Sequence, residues 1–202
     1  RSGSFFWSFP WTSTRQRSAG SSPASVRWRD SVSLFEHALE VTGPVSAVLH
    51  VSTSAPSTDF TAKLVDVSPD GFAQNLTEGI VRARYRDSPE KSNLMNPGQI
   101  YKFTIDMWST SNVFLKGHSL RLEISSSNFP RFDRNLNTGE DPAFAKNFVS
   151  ATNTIYHDAE HPSALILPRS RNSGRSRLNA VAIPPPKAPR IRMVTIVSFQ
   201  FR

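Results

Sequence analysis

Along most of this chain apolar and polar residues alternate in short runs bounded by Gly, Pro, Asn and Asp, the period of half-buried strands rather than of helices. Val45, Ala47, Leu49 and Val51 make one face of a first run, and Phe60, Ala62 and Leu64 begin a second. Ser68-Pro69-Asp70-Gly71 predicts a turn, proline fixing φ and glycine supplying a positive one. Phe72 to Leu76 follows, then Ile80 to Tyr85, where Arg82 and Arg84 alternate with Val81, Ala83 and Tyr85. Tyr101, Phe103, Ile105 and Met107 give the clearest alternation. After them come Val113 to Leu115, Leu120 to Ile124, Thr152 to Tyr156 and Ala164 to Leu167, with Met193 to Phe201 as a further candidate. No segment sustains i, i+3, i+4 spacing. About nine short strands so punctuated predict an all-β chain, a jelly-roll β-sandwich or barrel whose long connections at 86–98 and 127–148 are Greek-key crossovers.

Composition narrows this picture. The 202 residues are enough for one core with long tails. Zero cysteines remove disulfides, thiolate catalysis and cysteine-ligated zinc. No apolar run reaches the roughly 18 residues of a membrane helix, and no targeting signal is legible, so no membrane partner is expected. The formal charge of +8 suggests a nucleic-acid binder until it is located. Glu40 to Arg169 carries 12 Lys and Arg against 14 Asp and Glu; residues 1–39 carry five against two, and residues 170–202 carry seven against none. The basicity therefore belongs to the ends, and no nucleic-acid motif accompanies it, so no specific nucleic-acid partner is expected. The expected organisation is an irregular segment 1–39, a jelly-roll domain 40–168 and a basic Pro/Arg-rich tail 169–202.

Four stretches could carry chemistry. Gly117-His118-Ser119-Leu120 is most of a nucleophile elbow, but Arg121 stands where the second glycine belongs and a strand pattern follows, so Ser119 reads as the start of a strand. His157-Asp158-Ala159-Glu160-His161 matches H-x-x-E-H, which binds zinc only on a helix; Pro162 and the flanking strand patterns make it a hairpin connection instead. Asp66, Ser68, Asp70 and Gly71 start like a calcium loop, yet Thr77 occupies the twelfth place and Glu78 comes one residue late. Asn75-Leu76-Thr77 is a glycosylation sequon by formula. His37 and His50 have no partner visible in the sequence, and Arg82 and Arg84 read as solvated or ion-paired strand residues. No catalytic, cofactor-binding or metal-ligating residue is assigned.

The segments "VTGPVSAVLHVSTSAPSTDFTAKLVDVSPDG", "NLTEGIVRARYR", "PGQIYKFTIDMWSTSNVFLKGHSLRLEISSSNFPRFDRNLNTG" and "ATNTIYHDAEHPSALILP" resemble, in order, the C-terminal domain of the X-prolyl dipeptidyl-peptidase, cocaine esterase and glutaryl-cephalosporin acylase family of serine hydrolases. The resemblance runs from about Val41 to Pro168. It implies a galactose-binding-like jelly roll that is itself non-catalytic, packed against an α/β-hydrolase domain of the same chain that bears the catalytic residues, with no cofactor. It further implies dipeptidyl-peptidase or hydrolase activity only in the full-length enzyme, an inactive isolated chain, and self-association through an uncovered apolar flank. Residues 1–39 and 169–202 depart from the family, which suggests a truncated or frame-disrupted product. Two alternatives stand beside this reading: a free-standing carbohydrate-binding-type β-sandwich, for which Trp108 at a strand end offers little stacking surface, and a capsid-like jelly roll with a basic arm.

Overall fold

The computed structural model describes residues 5–7, 28–31, 35–141, 144–168 and 190–195. The described residues contain ten strands: β1 (Phe5–Trp7), β2 (Trp28–Ser31), β3 (Leu39–Thr53), β4 (Asp59–Val67), β5 (Ala73–Arg82), β6 (Tyr101–Phe114), β7 (Ser119–Ser125), β8 (Ala151–Tyr156), β9 (Ala164–Leu167) and β10 (Arg190–Thr195). The six-stranded sheet runs β1-β9-β3-β8-β10, with β6 on the other edge of β3; the four-stranded sheet runs β2-β7-β4-β5. Every pairing is antiparallel. The chain changes sheet between β3 and β4, β5 and β6, β6 and β7, and β7 and β8, which makes a β-sandwich, and the connections 83–100 and 126–150 are crossovers as expected. No helix among the described residues is long and apolar enough to cross a membrane.

The alternating residues fill the space between the sheets. Val45, Ala47, Leu49 and Val51 of β3 and Phe103, Ile105 and Met107 of β6 meet Phe60, Ala62 and Leu64 of β4 and Leu120, Leu122 and Ile124 of β7. Phe60 and Phe103 touch across the layer with ring centroids 5.5 Å apart. Burial of such side chains contributes roughly 1.5–3 kcal/mol each.

Three strand boundaries differ from the pattern-based expectation, each for a physical reason. Phe72 to Leu76 and Ile80 to Tyr85 do not form two strands: β5 runs unbroken from Ala73 to Arg82, and Ala83–Tyr85 turn into a single 3-10 turn. Gly79, which looks like a break, marks a close approach, since a Cβ there would lie 1.9 Å from the Asp106 carbonyl oxygen of β6. Val113 belongs to β6, and Trp108 lies inside that strand rather than at its end. Met107 and Trp108 together oppose Val45, a bulge at which Trp108 takes φ +64 and stands 70% exposed. The strand expected at Met193 to Phe201 coincides with β10 as far as Thr195; residues 196–201 lie outside the described residues.

Candidate functional site

The central strand β4 is buried on both faces, although its outward residues Asp59, Thr61 and Lys63 are polar. Buried charge requires partners, and the connection 126–150 supplies them. Arg82, directly opposite Asp59 on β5, reaches it through Nε at 3.1 Å and Nη2 at 3.1 Å. Asn135 donates to Asp59 at 2.7 Å and to Ser57 at 3.1 Å. Burial pushes the Asp59 carboxyl up, against the pull of Arg82 and Asn135. Arg82 is itself pushed up, the pairing with Asp59 outweighing partial desolvation. Two rungs along, Glu78 receives Lys63 at 3.1 Å, Asn128 at 2.9 Å and Arg131 at 2.5 Å. Desolvation of Glu78 would raise its pKa, but these donors win and hold it below the ordinary glutamate value.

Two loops are thereby drawn to one end of the four-stranded sheet. Arg84 is buried and donates to the carbonyls of Gly139 at 2.8 Å and Glu140 at 2.6 Å and to Ser92 Oγ at 2.8 Å, tying the connection 83–100 to the connection 126–150. Asn137, at φ +63, is buried: its N–H donates to Asn135 Oδ1 at 2.9 Å and its side-chain amide to the Val149 carbonyl at 2.9 Å. Gly139 has φ +78 and lies so near that a Cβ would stand 3.2 Å from Pro56 and 3.3 Å from Leu94. Buried Met95 donates its N–H to the Pro56 carbonyl at 2.8 Å. Arg86 lies over the Tyr101 ring at 4.7 Å, and Arg134 over Phe129 at 4.1 Å. On this fixed frame stand exposed large apolar side chains: Phe144 at 80% exposure, Phe129 at 54% and Leu94 at 43%, with Tyr85, Phe148 and Val149. Exposed apolar side chains on loops held by buried polar groups offer contact area for another surface.

The residues singled out in the sequence are otherwise employed. Ser119 opens β7 opposite Val67, with a strand and no helix after it. His118 Nδ1 meets Asp66 Oδ1 at 2.9 Å, but consecutive residues at the start of a strand project to opposite sides, which turns Ser119 away from this acid–imidazole pair. Asp66 is thus used, and Asp70 closes the 68–72 turn by accepting from the Phe72 N–H at 3.0 Å and from Ser68. Among the described residues no group of three His, Cys, Asp or Glu could hold a metal ion. Thr77 of the sequon donates to the Met107 carbonyl within the seam between β5 and β6. His37 is exposed.

The H-x-x-E-H stretch is not a hairpin. Tyr156 pairs with His50 and Ala164 with Val48, so β8 and β9 lie end to end along one edge of β3, and residues 157–163 form an excursion opposite Leu49 alone. His161 bonds Asp158 Oδ1 through Nδ1 at 3.0 Å. Sequence reasoning also missed the buried roles of Arg84, Asn135 and Asn137; the signal was Asn-Leu-Asn-Thr-Gly at 135–139, residue types that tolerate positive φ and bond nearby backbone.

The profile of the X-Pro dipeptidyl-peptidase C-terminal non-catalytic domain matches residues 32–166. Cocaine esterase of Rhodococcus sp. (strain MB1 Bresler) is 51% identical over 140 residues, which are 68% of this chain and 24% of the esterase. Among solved structures, an α-amino acid ester hydrolase superposes with a TM-score of 0.67 at 28% identity, over 70% of this chain and 25% of its own. An aminopeptidase from a marine sediment Thaumarchaeota archaeon superposes with a TM-score of 0.66 at 25% identity, over 83% of this chain and 33% of its own. The chain thus corresponds to about a quarter of the length of the curated relative.

Proposed function

Because the chain belongs to the family of X-Pro dipeptidyl-peptidase C-terminal non-catalytic domains, we propose that it acts as the accessory sandwich of a serine hydrolase, docking on an α/β-hydrolase catalytic domain through the loop face at 83–98 and 126–149. Residues 40–168 are the module; the flanking segments add β1, β2 and β10 to its sheet edges. The observation that carries the reading is the apolar group Leu94, Phe144 and Phe148 on loops already fixed by Arg84, Asn135 and Asn137. Loops ordered before docking lose little conformational entropy when the partner arrives. The whole enzyme's chemistry is then ester or peptide hydrolysis, with every reacting group on the partner domain.

A chimera tests this. Residues 32–168 replace the matching quarter of the Rhodococcus esterase, and ester turnover and thermal unfolding are measured. The expected chimera turns over ester and unfolds in one transition. Leu94→Asp with Phe144→Asp separates the unfolding into two transitions and costs at least about 2 kcal/mol of coupling. Phe72→Asp, exposed at the opposite end of the sheet, changes neither. The reverse ranking, or ester hydrolysis by the 202-residue chain alone, overturns the proposal.

A further inference from the structure

The excursion at 157–163 is held to β3 through His50. It lies against the outer face of the six-stranded sheet, above His50 of β3. Its hold there is specific: the His50 N–H donates to Ser163 Oγ at 2.9 Å, and Ser163 Oγ donates to the Tyr156 carbonyl at 2.6 Å. The His161 ring contacts those of His50 and Tyr156, with centroids 5.9 and 5.5 Å apart. Tyr156 is in turn fixed by its hydroxyl, 3.0 Å from Ser52 Oγ.

The backbone of Pro162 faces the His50 ring and acts on it as a hydrogen-bond acceptor, the weakest of the influences on its charge. Proline has no N–H, so its partner atom is the carbonyl and the ring nitrogen is the donor. The other nitrogen, Nδ1, is buried with no hydrogen-bond partner. His50 is therefore held as the neutral Nε2–H tautomer, and a second proton at Nδ1 has no acceptor. Lys102 of β6 stands directly opposite His50, and His161 stands over it, both unfavourable to a second positive charge. Asp158 opposes them, but it already accepts three bonds from the Glu160 and His161 N–H groups and the His161 ring. Glu160 is exposed.

We propose that residues 157–163 are an acid-released latch, with protonation of His50 as the event that lifts the segment from β3. Desolvation, Lys102 and His161 together lower the His50 pKa below 6.5. The latched state thus prefers neutral His50, while the released state has an ordinary imidazole. The latch is fully closed above pH 6.5 and loosens as pH falls below it, by at most about tenfold in the opening equilibrium per pH unit.

Amide and imidazole NMR of the full chain from pH 8 to 5 tests the proposal. The amides of residues 158–161 and 163 are expected to shift together with the His50 resonance, at a midpoint below that of an ordinary histidine. His50→Gln, which keeps a donor for the Pro162 carbonyl and cannot titrate, abolishes the common shift. Lys102→Met, at an exposed position, moves the His50 midpoint upward. Loop amides that stay in place over this range, or that titrate unchanged in His50→Gln, overturn it. Should His50→Gln not fold, an unmoved midpoint in Lys102→Met does so alone.

Discussion

Replacing Gly79 by Ala tests whether the two sheets meet backbone to backbone at the β5–β6 seam. The added Cβ would sit 1.9 Å from the Asp106 carbonyl oxygen, 2.9 Å from its carbon and 3.0 Å from Ile105 Cγ2. Real Cβ atoms essentially never come within 3.0 Å of such a neighbour, so the strands must part by at least about 1.1 Å. Parting them strains the Thr77 hydroxyl bond to the Met107 carbonyl and lifts Ile105 and Met107, both buried, from the core. The obstacle is main chain and cannot rotate away, so the cost belongs at the upper end of overpacking, about 3 kcal/mol. For a chain of this size that lowers Tm by about 6–12 °C. Gly71→Ala is the control: φ there is +90 but nothing lies within 4 Å, so only the left-handed backbone is penalised, by about 1 kcal/mol. Thermal unfolding of the two variants separates contact from conformation. A Gly79→Ala midpoint no lower than that of Gly71→Ala would refute the seam.

Arg84→Met leaves two carbonyls and a hydroxyl without their buried donor, a cost of about 1–3 kcal/mol. Because those bonds tie one loop to another, the loss is local, and trypsin cleavage after Lys146 is expected to accelerate about tenfold while cleavage within β3 to β6 does not. Equal acceleration everywhere would mean global unfolding instead. Arg82→Met strands the buried Asp59 carboxylate and is expected to cost about 3–5 kcal/mol at pH 7. The Asp59 pKa, already raised by burial, rises further without Arg82, so the folded variant binds a proton more readily than the unfolded chain. Its deficit against the unsubstituted protein therefore narrows as pH falls from 7 toward the carboxylate range. Urea midpoints at pH 7 and 5 check this, and a deficit independent of pH contradicts it.

The parts of the fold legible in the sequence were those in which each face of a strand meets one environment. In β6, Tyr101, Phe103, Ile105 and Met107 face the core while Lys102, Thr104 and Asp106 face outward, and the alternation reads directly. Where a strand is buried twice the pattern misleads: Asp59, Thr61 and Lys63 look solvated but lie beneath the 126–150 connection. Gly79 illegibly combined two meanings, since glycine marks both turns and close approaches. The H-x-x-E-H stretch was correctly denied a helix, but local sequence could not show that β8 and β9 share one partner, because pairing with β3 is set more than a hundred residues away.

That distance explains why the proposed docking face was invisible as well. Leu94 and Phe144 are fifty residues apart and neither belongs to an alternating run. The loops that carry them are tied together because Arg84, leaving the end of β5, reaches the carbonyls of Gly139 and Glu140, and because Asn135 bonds the carboxylate that Arg82 neutralises. The buried polar ladder on the outer face of the four-stranded sheet thus does two things at once. It lets β4 be buried on both sides without an apolar outer surface that would invite aggregation, and it fixes the loops whose apolar tips face outward. A hydrophobic outer face could bury the strand as well, but apolar contacts are non-directional and would leave the loops free to slide. Directional, charge-assisted bonds set their position, which is the property a docking face needs.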